Sequence, residues 1–111
     1  MKFQVIEKPN FVIVEIEGSL TIDNTVKLKE EGLRILKDYK KIIVDLSGVD
    51  FIDSSGIGAI AFLDKKFGEE NGRLIVTNVP ENIALVFSVT RAYEIFEFFD
   101  DVYEAEYSLV G

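Results

Sequence analysis

The sequence predicts an α/β fold built on a mixed sheet of about five strands and about four helices. Three observations carry the prediction. Two alternating runs at the start, KFQVIE and FVIVEIE, are separated only by KPN, a hairpin turn, so they pair antiparallel. The run KIIVDL at 41–46 is almost continuously apolar and β-branched, as in a strand covered on both faces. From there strand-like and helix-like patterns alternate, which calls for parallel crossovers.

Taken in order, residues 2–7 alternate as a strand, and Pro9 and Asn10 break it. Residues 11–17 form the second strand, and Gly18 ends the pair. Asp23 or Asn24 suits a helix N-cap. Leu28, Gly32, Ile35, Leu36 and Tyr39 then recur at helical spacing. Gly32 costs up to about 1 kcal/mol against Ala in a helix, which close packing against a sheet would offset. After the strand at 41–46, Ser47, Gly48, Val49 and Asp50 read as a turn, with Phe51 and Ile52 as apolar anchors. A helix follows from about Ser55 to Glu70 with Ile57, Ile60, Ala61 and Phe67 on its apolar face; Asn71 and Gly72 end it. RLIVTNV at 73–79 is another buried strand, and Pro80 opens a short apolar helix through Ile83, Phe87 and Val89. The aromatic stretch 93–99 reads as a last strand. Asp100 or Asp101 caps a last helix carrying Val102, Ala105 and Leu109.

With 111 residues and 48% hydrophobic content, the chain is sized for one globular domain, residues 1–111. The net charge of −8 opposes a phosphate backbone, so nucleic acid is not an expected partner. Cys and His are both absent. Their absence removes thiol chemistry, a Ser-His-Asp triad and imidazole metal ligands, and no cofactor is expected. Nothing resembles a signal peptide, and no apolar run approaches the ~20 residues of a membrane span, so no membrane role is expected. A cysteine-free chain is compatible with a reducing cytosol, the expected location.

The stretch FIDSSGIG at 51–58 admits four readings. Gly56, Gly58 and Ala61 match G-x-G-x-x-A, but ten positions separate Leu46 from Gly56, whereas a dinucleotide fingerprint places its first glycine in the turn after a strand. Such small residues also permit close helix–sheet packing. A nucleophilic Ser54 or Ser55 would need a base; there is no His, and no S-x-x-K follows either serine. As a structural element, Asp53 or Ser54 caps the helix, which leaves the second hydroxyl without a required role. As a modification site, a serine here would carry phosphate beside unpaired N–H groups and the positive end of the helix dipole. Charge added there on a binding surface disrupts it.

Placed between that strand and that helix, VDFIDSSGIG at 49–58 resembles the anti-sigma factor antagonist family, which has the STAS-domain fold. The similarity extends over nearly the whole chain. Weaker matches are Gly18-Ser19-Leu20, Asn71-Gly72 and Thr90 through Phe96. The resemblance implies a STAS-like fold, a central mixed sheet with helices mainly on one side. It implies a partner switch rather than an enzyme: the unphosphorylated protein binds an anti-sigma factor that is also a serine kinase, and the sigma factor is released. The kinase then phosphorylates the first hydroxyl after the motif's Asp, Ser54 here, and a serine phosphatase resets it. Asp53, Ser55, Gly56, Ile57 and Gly58 are the flanking motif residues, and the loop bearing Thr21, Asp23 and Asn24 should lie beside them. Two positions depart from the family pattern: Thr21 stands where many members have an acidic residue, with Asp23 two residues later, and Arg91 stands where a small residue is common. The alternatives are a STAS scaffold or ligand-sensing module without a phospho-switch, and a small nucleotide-binding enzyme using Gly56 and Gly58.

Overall fold

The computed structural model describes residues 1–110. Strands β1 (Lys2–Glu7), β2 (Val12–Leu20), β3 (Lys41–Ile52), β4 (Arg73–Thr77) and β5 (Glu97–Phe99) form one sheet in the order β1-β2-β3-β4-β5. β1 pairs antiparallel with β2, and every other neighbouring pair is parallel. Helices α1 (Thr25–Leu36), α2 (Ser54–Glu69), α3 (Glu81–Val89) and α4 (Val102–Val110) provide the connections and the cover.

Alternation along the strands assigns the two faces. Val12, Val14, Ile42, Val44, Leu74 and Val76 point to a large core closed by α1, α2 and α3. Phe11, Ile13, Ile43 and Ile75 point to the opposite face, where Ala105 of α4 closes a smaller core. Three helices on one face and one on the other match the expected architecture. The central strands are buried on both faces, which is why KIIVDL lacks a polar alternation.

Several boundaries differ from the sequence reading. Gly18, at φ +98°, ends the pairing with β1, but β2 itself continues to Leu20 alongside β3. Residues 47–50 are not a turn, because β3 runs on to Ile52. Its register against β2 slips twice, from Glu15–Asp45 to Glu17–Gly48 and from Gly18–Val49 to Ser19–Phe51. Each slip places one extra residue in β3, a bulge. The core-facing positions therefore step from Ile42, Val44 and Leu46 to Val49 and Ile52, and the two-residue period is lost. Phe51 is consequently not an anchor: it is 54% exposed, whereas Ile52 is buried.

The helix after β3 starts at Ser54, one residue earlier than expected. β4 stops at Thr77, because Asn78 turns left-handed at φ 52° and donates its N–H to the Asp100 carbonyl. The last strand is only Glu97–Phe99; Ala92–Glu94 is a 3-10 turn, and Tyr93 within it packs around Phe87 with Phe96 and Phe98. Gly32 faces a helix rather than the sheet: a Cβ there would lie 2.4 Å from the Leu63 side chain of α2.

Candidate functional site

All four parallel strands end on the same side of the molecule, and α2 begins there. Asp53 takes the N-cap place in extended conformation, φ −111° and ψ −178°. Its Oδ1 accepts from the Gly56 N–H at 2.9 Å, and its Oδ2 accepts from the Ile22 N–H at 3.4 Å. Its own N–H donates to the Leu20 carbonyl at 3.3 Å. One side chain thus caps α2 and holds the β2–α1 loop against it.

Because Asp53 is the cap, Ser54 is not. Ser54 is the first residue of α2 and is exposed, and its hydroxyl has no hydrogen-bond partner among the described residues. Ser55 is half-buried, and Gly56 and Ile57 are buried. The N–H groups of Ser54 and Ser55 fall in the first turn, where the helix supplies no acceptor. The two glycines do different work. A Cβ on Gly56 would sit 2.4 Å from the Leu20 carbonyl oxygen and 2.7 Å from Ile52 Cγ1, so only glycine allows α2 to start this close to the sheet. A Cβ on Gly58 would meet nothing within 4 Å. Of the small residues expected to serve close packing, Gly56 does and Gly58 does not. Gly58 lies one turn beyond Ser54 and is likewise exposed, so no side chain projects from that position toward the hydroxyl.

The β2–α1 loop lies beside α2 as expected, through Leu20 and Ile22. Asn24 takes the N-cap place of α1 without capping it. Its Oδ1 accepts from the Thr21 N–H at 2.9 Å and its Nδ2 donates to the Ser19 carbonyl at 2.7 Å, closing the loop on itself. Thr21 is half-buried, and Asp23 is exposed with no partner among the described residues. A second set of bonds steadies the end of β3: Ser19 Oγ donates to Asp50 Oδ1 at 2.9 Å, and Asn82 Nδ2 of α3 donates to the Asp50 carbonyl at 2.9 Å.

Sequence reasoning missed Phe51 and Ile22. Both are large apolar side chains left in solvent, at 54% and 66% exposure, on the segments leading into and lying against α2. Ile22 carries a legible signal, an apolar residue inside the polar run TIDN. Phe51 carries none, because the bulges decide which way it points. Four surface clefts of about 170 to 460 Å³ lie elsewhere, and none of the four is lined by a residue of 50–58. Gly56 is the third residue of α2 and not part of a turn after the strand, which removes the geometry a dinucleotide fingerprint needs.

Strand order and site together define a small α/β module that exposes a hydroxyl at the start of a helix. The chain belongs to the STAS domain family, whose profile matches residues 2–105. It is 32% identical over 107 residues to a Thermotoga neapolitana protein named as a homologue of the anti-sigma factor antagonist TM1081, covering 93% of this chain and 91% of that one. The crystal structure of TM1081 from Thermotoga maritima superposes with a TM-score of 0.91 at 27% identity, covering 98% of this chain and 95% of that one. The Bacillus cell fate determinant SpoIIAA in its phosphorylated form shares the fold, with a TM-score of 0.75 at 19% identity and coverage of 99% and 100%.

Proposed function

We propose that residues 1–111 act as a single STAS domain that works as a phosphorylation-controlled anti-sigma factor antagonist in the cytoplasm. Unphosphorylated, it binds an anti-sigma factor with serine kinase activity through the surface around Ser54, and the sigma factor is released. The kinase transfers phosphate to the Ser54 hydroxyl, the complex parts, and a serine phosphatase resets the switch. The chain is the substrate and not the catalyst. Asp53, Ser55, Gly56, Ile57 and Gly58 shape the phosphorylated segment, and Thr21, Asp23 and Asn24 belong to the adjoining contact loop.

The observation that carries this reading is the bare Ser54 hydroxyl, relieved of capping by Asp53 and placed near the exposed side chains of Phe51 and Ile22. Phosphate there adds about −1.5 to −2 charges. It would stand one residue from the Asp53 carboxylate, on a surface whose apolar members favour a desolvated contact. Repulsion and desolvation then both oppose docking. The naming of the Thermotoga relative as an antagonist homologue supports the same partner class.

The test uses wild-type, Ser54→Asp and Ser54→Ala proteins as baits in native lysate, with circular dichroism to show that all three fold. Wild type and Ser54→Ala should retain a kinase-like anti-sigma factor, and Ser54→Asp should lose it. Incubation with ATP and the captured kinase should phosphorylate wild type at Ser54 alone. Equal retention of the same partners by all three baits would instead make the domain a scaffold.

A further inference from the structure

The face of the sheet away from α2 carries a second apolar feature. Tyr103, Tyr107 and Val110 are spaced by four and three residues along α4, so they share one side of that helix. They are 80%, 75% and 69% exposed. Neither tyrosine hydroxyl has a partner among the described residues. The two rings form a ridge with a groove on each side. One groove, of about 330 Å³, runs between the ridge and Lys8, Pro9 and Phe11. The other, of about 410 Å³, runs between the ridge and Phe99.

The charge lining the two grooves is net negative. Glu106 lines the first groove and Glu104 the second, and Asp100 and Asp101 precede α4. Lys8 is the one cation in either lining. Arg73 reaches Ser108 on this side, but its guanidinium is engaged by Glu97. We infer that the α4 ridge is a second docking surface, for a partner helix whose apolar stripe is flanked by lysines or arginines.

The charge decides among occupants. A second copy docked ridge to ridge would bring two net-negative rims together in chains of net charge −8 each. An anionic lipid surface would repel the same rim. A basic amphipathic helix satisfies both parts: its apolar stripe covers the tyrosine rings and its cations meet the acidic rim. Tyrosines are favoured anchors because they bury large area while their hydroxyls stay wet or find a partner. Since α4 and α2 lie on opposite faces of the sheet, this surface should be indifferent to charge at Ser54.

The probe is a synthetic helical peptide with leucine on one side and lysine on the flanks. Two control peptides replace its leucines with serine or its lysines with glutamate. Amide shifts of the isotope-labelled protein should map saturable binding to Phe11, Tyr103 and Tyr107. Both controls and the Tyr103→Ser/Tyr107→Ser variant should weaken binding by on the order of tenfold or more. Tyr107→Phe and Ser54→Asp should bind as wild type does. The inference falls if the serine control binds equally, which would mean diffuse charge attraction, or if the double variant, shown folded by circular dichroism, binds like wild type. It falls in favour of self-association if sedimentation shows a dimer that the double variant abolishes. It falls in favour of lipid if phosphatidylglycerol vesicles retain wild type and not the variant.

Discussion

The two halves of β3 serve different ends within one strand. From Ile42 to Asp45 the register against both neighbours is unbroken, and Ile42, Ile43 and Val44 are buried alternately toward the two cores. From Ser47 to Ile52 the strand carries two bulges and pairs with β2 alone. There it exposes Phe51, bonds Ser19 and Asn82 through Asp50, and hands the chain to α2. Regular pairing makes every residue answer to the core. Each inserted residue frees one position from that duty, and the freed positions lie directly before the segment that carries the proposed site.

The largest effect that would sharpen this contrast belongs to the regular half. Ile43→Ala or Val44→Ala should cost about 2–4 kcal/mol in urea unfolding and leave partner docking unchanged in the folded fraction. Gly56→Ala, at the junction with α2, drives a Cβ against the backbone oxygen of Leu20 and should cost about 1–3 kcal/mol. A melting temperature within a degree of wild type would show that α2 is free to slide. Asp53→Ala removes the cap at about 0.5–2 kcal/mol, and amide exchange at Ile22 and Gly56 should quicken together, because one carboxylate holds both.

Gly58→Ala is the mutation that separates fold from function. With open space around it, alanine should raise stability by up to about 1 kcal/mol through helix propensity. The same methyl, one turn from Ser54, should slow phosphorylation by the cognate kinase. Stabilisation with unchanged phosphorylation would leave Gly58 without a role in access. The smallest effect lies in the middle of α2. Burial pushes the Asp64 carboxyl up from its ordinary value, with help from the negative charge of Glu97. The folded protein therefore holds this proton more tightly than the unfolded chain does. Its contribution to stability is complete below about pH 4 and is lost as pH rises through the raised folded value. Asp64→Asn should flatten that part of the stability–pH curve and raise stability at neutral pH.

The regular half of the molecule was legible in sequence because its physics is periodic. KIIVDL and RLIVT announce burial on both faces, and the stripe Leu28, Gly32, Ile35, Leu36 announces which side its helix buries. Pro9 and Asn71-Gly72 mark real boundaries through backbone chemistry that a sequence displays. The bulged half was not legible. SGVDFI has no period of two, so it reads as a turn, and nothing local shows that β2 extends beside it to Leu20. Cap choice was also open: DSS offers three oxygens, and the selection of Asp53 depends on the Ile22 N–H, 31 residues earlier in the chain. Ser54 itself was named from a pattern. Its freedom from capping came from the fold.

The cross-bonded loop has a kinetic meaning. Asn24 ties Thr21 to Ser19, Ser19 grips Asp50, and Asp53 holds Ile22, so this edge is ordered before any partner arrives. A pre-ordered surface loses little conformational entropy on association, and its encounter rate depends mainly on diffusion and orientation. On the proposed reading, a phosphate beside this edge would add charge repulsion at encounter and a desolvation cost in the complex, so the switch would act on both the speed of formation and the lifetime of the complex.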